Sequence, residues 1–106
     1  MKKVYLFCAA GMSTSMLAQR MQEVADQHKL PMEIKAFPIG TVGDVIEKEH
    51  PDCILIGPQS KYMFEEVNSK YGNMGIPIHV IDQAAYGMMD GEKILKTAIK
   101  LIKENK

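Results

Sequence analysis

At 106 residues the chain has room for one compact domain and not for two, and its 46% hydrophobic and 25% charged residues set aside the disordered and fibrous classes. Thirteen Lys and Arg balance thirteen Asp and Glu, so the long-range attraction that draws nucleic acid or anionic lipid is absent. The longest apolar runs, Val4 to Ala10 among them, fall far short of the roughly twenty residues that span a bilayer. Lys2 and Lys3 before an apolar stretch have the look of a secretory leader. That stretch ends at Gly11 and passes into an amphipathic pattern, so the segment reads as fold and the chain as cytoplasmic. In that reducing compartment the two cysteines are expected to be thiols.

Val4-Tyr5-Leu6-Phe7-Cys8 is a short β-favouring run, the pattern of a strand buried on both faces. From Ser13 the period changes: Leu17, Met21, Val24, Ala25 and His28 fall on one face of a first helix, which Leu30-Pro31 breaks. Met32, Ile34 and Ala36 then alternate with Glu33 and Lys35, as in a half-exposed edge strand. After a turn at Pro38 and Gly40, Val42, Val45, Ile46 and Glu49 mark a short helix that must stop before Pro51. Cys53 to Ile56 reads as the third strand and Gly57-Pro58-Gln59-Ser60 as a loop. Tyr62, Met63, Phe64, Val67 and Tyr71 read as the stripe of a third helix closed by Gly72. Ile76 to Ile81 is the fourth strand. A loop through Tyr86 and Gly87 leads to Asp90, an N-cap for a last helix that turns Ile94, Leu95, Ala98, Ile99, Leu101 and Ile102 inward.

Strands alternating with helices imply right-handed crossovers and an α/β fold: a four-stranded parallel sheet with helices on both faces, βαβαβαβα, occupying 1–106 as one domain without internal repeats. Such sheets bind ligands beyond the carboxyl ends of their strands, where the strand order reverses. Cys8 lies at that end and Cys53 begins its strand. The two ends are roughly 13 Å apart, beyond the reach of a disulfide.

The segment from Phe7 to Leu17 places the Cys8 thiol just before a small-residue loop, Ala9-Ala10-Gly11-Met12-Ser13-Thr14-Ser15, that feeds a helix N-terminus. Unpaired backbone N–H groups there suit an anion of phosphate size, with Ser13, Thr14 and Ser15 adding hydroxyls. The same positive field favours the thiolate, so Cys8 is expected to be a nucleophile near neutral pH and Cys53 to be inert. Together these features point to phosphoryl transfer onto sulfur, against the bland alternative of a buried small hydrophobe and a capped helix.

Two families carry such a loop. Low-molecular-weight tyrosine phosphatases have Cys, five residues, then Arg and a Ser or Thr. Counting from Cys8 puts Thr14 at the arginine position, so the strongest phosphate ligand is missing and aryl phosphates should not turn over usefully. The chain resembles, over its whole length, the IIB component of the phosphoenolpyruvate-dependent sugar phosphotransferase system, lactose/chitobiose (cellobiose) family. The resemblance rests on the Cys8 loop with Gly11 and Ser13-Thr14-Ser15, on Gly57-Pro58-Gln59 after strand three, and on Tyr86-Gly87 with Asp90-Gly91. It implies a phosphocarrier in which Cys8 accepts a phosphoryl group from phosphohistidine on a IIA protein and passes it to a sugar held by the membrane IIC transporter. The implied phosphate site is Ala9 through Ser15 and the implied sugar a β-linked disaccharide such as cellobiose or chitobiose.

Other readings have less support. A response-regulator receiver needs acids where Cys8 and Ile56-Gly57 stand, thioredoxin chemistry needs a cysteine where Gly11 stands, and the chain is short for a flavodoxin-like nucleotide binder. His28, His50 and His79 have no metal-ligand spacing, and neither metal nor cofactor is expected. Asp82 reads as satisfying loop amides rather than as a catalytic acid. Met12, Met16, Gln59, Tyr86, Met88 and Met89 fall in loops at the functional edge and form the expected docking face for IIA and IIC, though core filling would also suit the methionines.

Overall fold

The computed structural model describes residues 1–9 and 11–104, with the backbone alone for residues 11–13. Among these residues the chain runs β1 (Lys2–Cys8), α1 (Gly11–Gln27), β2 (Met32–Pro38), α2 (Val42–Glu49), β3 (Cys53–Ile56), α3 (Phe64–Tyr71), β4 (Ile78–Val80), α4 (Gln83–Gly87) and α5 (Gly91–Glu104). All strand pairs are parallel and the order is β2-β1-β3-β4. From β1 the chain moves out to β2 on one side and then crosses to β3 on the other, so the order reverses beside β1. No helix among the described residues is long and apolar enough to cross a membrane.

The alternation of β1 explains the layering. Val4 and Leu6 face one side with Cys53 and Leu55, and against them pack Leu17, Met21 and Ala25 of α1 and Ile94, Leu95 and Ala98 of α5. Tyr5 and Phe7 face the other with Ile54 and Ile56, covered by Val42, Val45 and Ile46 of α2 and Val67 of α3. Phe37 of edge strand β2 closes that second core, its ring centroid 5.0 Å from Tyr5 and 5.5 Å from Phe7. Each fully buried side chain of this size contributes roughly 1.5–3 kcal/mol over leaving it exposed. At Gly91 a Cβ would lie 3.1 Å from the backbone of Arg20 and Met21, so the missing side chain lets α5 begin directly against α1.

Four expectations need correction. Pro58–Met63 forms a 3-10 turn rather than an open loop, and it leaves Tyr62 71% exposed, off the apolar stripe. The fourth strand is shorter than 76–81 because Pro77 has no N–H to pair, although its carbonyl still accepts from Ile54 N at 3.0 Å. The segment through Tyr86 and Gly87 is a helix, α4, capped by Asp82 Oδ2 accepting from Ala85 N at 3.0 Å. Asp82 thus satisfies an amide, as read from the sequence. His28 is exposed beyond the end of α1, where Leu30 N bonds Ala25 O at 2.8 Å and Lys29 N bonds Asp26 O at 3.1 Å.

That pair of bonds is a Schellman ending with Lys29 at φ 55°, a left-handed conformation that glycine adopts without strain. Lys29→Gly is expected to raise stability by about 0.5–1 kcal/mol, read as an increase in the midpoint of chemical unfolding.

A polar network closes the amino-terminal half of the sheet. The Tyr5 hydroxyl, inside the second core, lies 2.8 Å from Glu33 Oε2 and 3.3 Å from Glu49 Oε1, and Lys3 Nζ reaches Glu49 Oε1 at 3.3 Å. The Tyr5 hydrogen bond holds the Glu33 carboxyl below its ordinary 4.5, and Lys3 does most of the same for Glu49. Burial first, then the two carboxylates, push the phenol above its ordinary 10.0. Carboxyls depressed in the fold lend stability above about pH 4.5 that drains as pH falls, and a raised phenol lends stability that is lost as pH climbs past about 10. Tyr5→Phe is expected to flatten both limbs and to cost about 1 kcal/mol at neutral pH, the low end for a bond to a charged group because the carboxylates are half-exposed. Urea unfolding at pH 3.5, 7 and about 11 checks it.

Candidate functional site

Cys8 stands at the last position of β1, beside the reversal of strand order, and α1 opens three residues later at Gly11. The turn after β3 comes up against it. Gly57 N donates to Phe7 O at 2.9 Å, continuing the β1–β3 ladder past its end. Gly57 has an extended backbone, φ −62° and ψ 148°, which any residue adopts, so its glycine serves space rather than conformation. A Cβ there would lie 2.7 Å from Cys8 Sγ and 3.0 Å from Cys8 Cβ. The thiol donates to Gln59 Oε1 at 3.5 Å, and Ala9 N donates to Ser60 Oγ at 3.0 Å. Ser60 is fully buried and its own N–H bonds Gly57 O at 2.9 Å, so the turn is fixed as it meets the start of the Cys8 loop.

Above the sulfur is an open pocket lined by Cys8, Ala9, Ser15, Ala36, Phe37 and Pro38, with no charged side chain among them. Cys8 itself is buried. Ser15 is exposed toward solvent, whereas Thr14 is 1% exposed and its Oγ1 lies 3.0 Å from the Tyr86 hydroxyl. Thr14, at the place where a phosphatase loop carries arginine, therefore reaches inward to α4. Cys53 is a different kind of cysteine. It pairs with Val4, four residues along β1 from Cys8, and burial, aided by Asp52, pushes its thiol up to about 12. Neither cysteine is in a disulfide.

In this chain a small buried thiol thus stands at the switch point of the sheet, three residues before α1 opens. The family described as "PTS system, Lactose/Cellobiose specific IIB subunit" matches residues 3–97. The chain belongs to this IIB family. It is 38% identical to the galactose-specific EIIB component of Lactococcus lactis subsp. cremoris over 95% of this chain and 96% of that one. To the oligo-beta-mannoside-specific EIIB component of Bacillus subtilis it is 35% identical over 96% and 97%. The solution structure of the cellobiose-specific phosphotransferase IIB component from Borrelia burgdorferi superposes with a TM-score of 0.81 at 34% identity, covering 98% of this chain and 94% of that one. As a IIB component the chain is a phosphotransferase component, one that moves phosphoryl groups toward sugar.

The candidate site brings together only part of the expected set. Cys8, Ala9 and Ser15 line one pocket. Ala10 lies outside the described residues, as do the side chains of Met12 and Ser13, and Gly11 is described by its backbone. Of the expected docking face, Met16 is 49% exposed, Met88 77% exposed and Gln59 exposed. Tyr86 is not on that face: it is 6% exposed, because the unforeseen helix α4 turns its ring into the core and its hydroxyl onto Thr14. Met89 is half-buried against the same core at φ 54°, where the end of α4 tucks it under. Two residues outside the expected set stand against Cys8 and Ala9: Gly57, noted in the sequence only for the family resemblance, and Ser60. A Gly-Pro pair directly after a central strand is a signal for Gly57, but nothing in the sequence distinguishes Ser60 from a surface serine.

Proposed function

We propose that Cys8 is the phosphoryl carrier of a sugar phosphotransferase system, loaded by phosphohistidine on a IIA protein and discharged onto a β-linked disaccharide of the cellobiose or chitobiose type held by a membrane IIC protein. The observation that carries this reading is the placement of the Cys8 thiol at the carboxyl end of β1, under a pocket that opens beside the start of α1. In the loading step the thiolate sulfur attacks phosphorus. An S–P bond forms as the P–N bond breaks, and the electron pair returns to the imidazole nitrogen; the thiol proton has already left to water. In the second step a sugar hydroxyl attacks the same phosphorus, an O–P bond forms as the S–P bond breaks, the hydroxyl proton passes to water and the sulfur leaves as thiolate. Of the loop amides expected to bind the phosphoryl oxygens, from Ala9 to Ser15, that of Ala9 is engaged by Ser60 Oγ, so the ligands proposed are the backbone N–H groups that follow it.

In-line transfer brings each partner over the Cys8 loop, so IIA and IIC bind one at a time, against Met16, Gln59, Met88 and Met12. Relatives support the partners and the sugar class by name: a cellobiose-specific EIIB component from Lactococcus lactis subsp. lactis is 38% identical, and a lactose-specific EIICB component of Staphylococcus epidermidis joins both functions in one name. The cytoplasm, as a single domain facing IIC, is the place this cycle assigns the chain. Dephosphorylation of aryl phosphates is the poorer reading, because Thr14 supplies no bidentate cation and its hydroxyl meets Tyr86. The test is incubation with phosphoenolpyruvate, the general phosphotransferase proteins and a cellobiose-type IIA. One phosphoryl group is expected on Cys8 by peptide mass spectrometry, followed by sugar phosphate when IIC vesicles and cellobiose or chitobiose are added. Label on a histidine, or brisk hydrolysis of phenyl phosphate, would overturn the proposal.

A further inference from the structure

We infer that Gln59 is a positioning residue for the reacting sulfur, its side-chain amide presenting Oε1 to the thiol and turning over to present Nε2 to the thiolate and to the phosphorylated sulfur. The inference rests on the reading of Cys8 as the phosphoryl acceptor and deepens it. The geometry begins with the 3.5 Å bond from Cys8 Sγ to Gln59 Oε1. A thiol offers a proton, and the carbonyl end of an amide accepts it. A thiolate offers only lone pairs, and the same carbonyl would then oppose a negative charge. An amide carries acceptor and donors at equal reach on one planar group, and its last torsion is broad and two-fold, so one rotation exchanges them.

The surroundings suit such a rotation. Gln59 is exposed, so the turning end meets solvent rather than core. Its backbone is held on both sides: Gly57 N on Phe7 O at 2.9 Å and Ser60 N on Gly57 O at 2.9 Å, with Ser60 buried. A fixed backbone under a free amide keeps the group at one distance from sulfur in either orientation. Gly57 leaves the space that the amide and the sulfur share, since a Cβ there would lie 3.4 Å from Gln59 Oε1 as well as 2.7 Å from Sγ. Among the described residues no charged side chain lines the pocket at the sulfur, so the amide dipole acts there without a lining ion to mask it.

Two variants and one spectroscopic readout test this. Gln59→Glu replaces the donor with a charge that cannot turn favourable to a thiolate, and Gln59→Met keeps the length without polar atoms. The rate of Cys8 alkylation by iodoacetamide is followed against pH; Cys8 lines an open pocket, and Cys53 stays silent because its thiol is pushed up to about 12. Gln59→Glu is expected to raise the midpoint by about one unit or more, a roughly tenfold loss of thiolate at neutral pH, and to slow phosphoryl uptake by a similar factor. Gln59→Met is expected to shift it less. In the wild-type chain the Gln59 side-chain amide signals in a ¹⁵N spectrum should move with the same midpoint as Cys8. Profiles for Gln59→Glu that overlay the wild type, equal shifts in both variants, or amide signals that stay still through the Cys8 titration would each overturn the inference. The alkylation arm needs no partner protein. A wild-type chain that takes up no phosphoryl group while its Gln59 signals follow Cys8 would therefore sink the carrier reading and leave the role of Gln59 standing.

Discussion

Cys8→Ser is expected to accept no phosphoryl group from phospho-IIA, with uptake falling by at least about 10³-fold, to background. The substitution changes one atom and almost nothing of the packing: Gln59 Oε1, 3.5 Å from the sulfur, remains to accept a hydroxyl proton, so the unfolding free energy should stay within about 1 kcal/mol of wild type. What is lost is ionisation. A thiol is partly thiolate near neutral pH and is intrinsically nucleophilic, and the start of α1 favours that charge, whereas a hydroxyl at the same place stays protonated with no general base among the residues lining its pocket. Radiolabel transfer from phosphoenolpyruvate, read beside a urea unfolding curve, separates the two effects. Label that persists in the variant would place the acceptor elsewhere in the chain.

Gly57→Ala is expected to slow phosphoryl uptake about 100-fold while the chain still folds. A methyl group built there would sit 2.7 Å from Cys8 Sγ and 3.0 Å from its Cβ, closer than carbon and sulfur approach, so either the turn or the thiol must move. The turn is anchored by Gly57 N on Phe7 O and by Ser60, and the thiol swings more easily. A displacement of about 1 Å at the nucleophile is enough to cost about two orders of magnitude in rate, and the crowding should lower stability by roughly 1–3 kcal/mol. Single-turnover transfer and thermal unfolding read the two separately. Normal transfer with unchanged stability would mean that the sulfur has more room than the backbone shows.

The strands and long helices were readable because their patterns report burial directly. Cys53 to Ile56 is apolar at every position, as a strand covered on both faces must be, and its bounds in the structure are those read from the sequence. Short elements were not readable. The five residues of α4 give no periodicity, and the cue that marks them, Asp82 bonding Ala85 N, looks like an ordinary loop aspartate until the backbone is known. Tyr86 was misplaced for that reason, because a loop would have left it free to face a partner. The proposed reactive position, Cys8 and the residues after it, is one the sequence already singles out. Its supports are not singled out there, because Gly57 and Ser60 act through distances across 49 and 51 residues of chain that no local pattern encodes.

The uncharged lining of the pocket acquires another meaning when cargo is counted as charge. A phosphoryl group adds about −1.5 to −2 near neutral pH, and thirteen basic against thirteen acidic residues leave no background for that addition to be lost in. On the proposed cycle the carboxyl edge would become more negative with each loading, and return with each delivery. A partner with a few cations at its rim could then tell a full carrier from an empty one before contact, favouring one form and releasing the other without any change of shape in the carrier. Migration in a native isoelectric gel would report the occupancy of the pool directly.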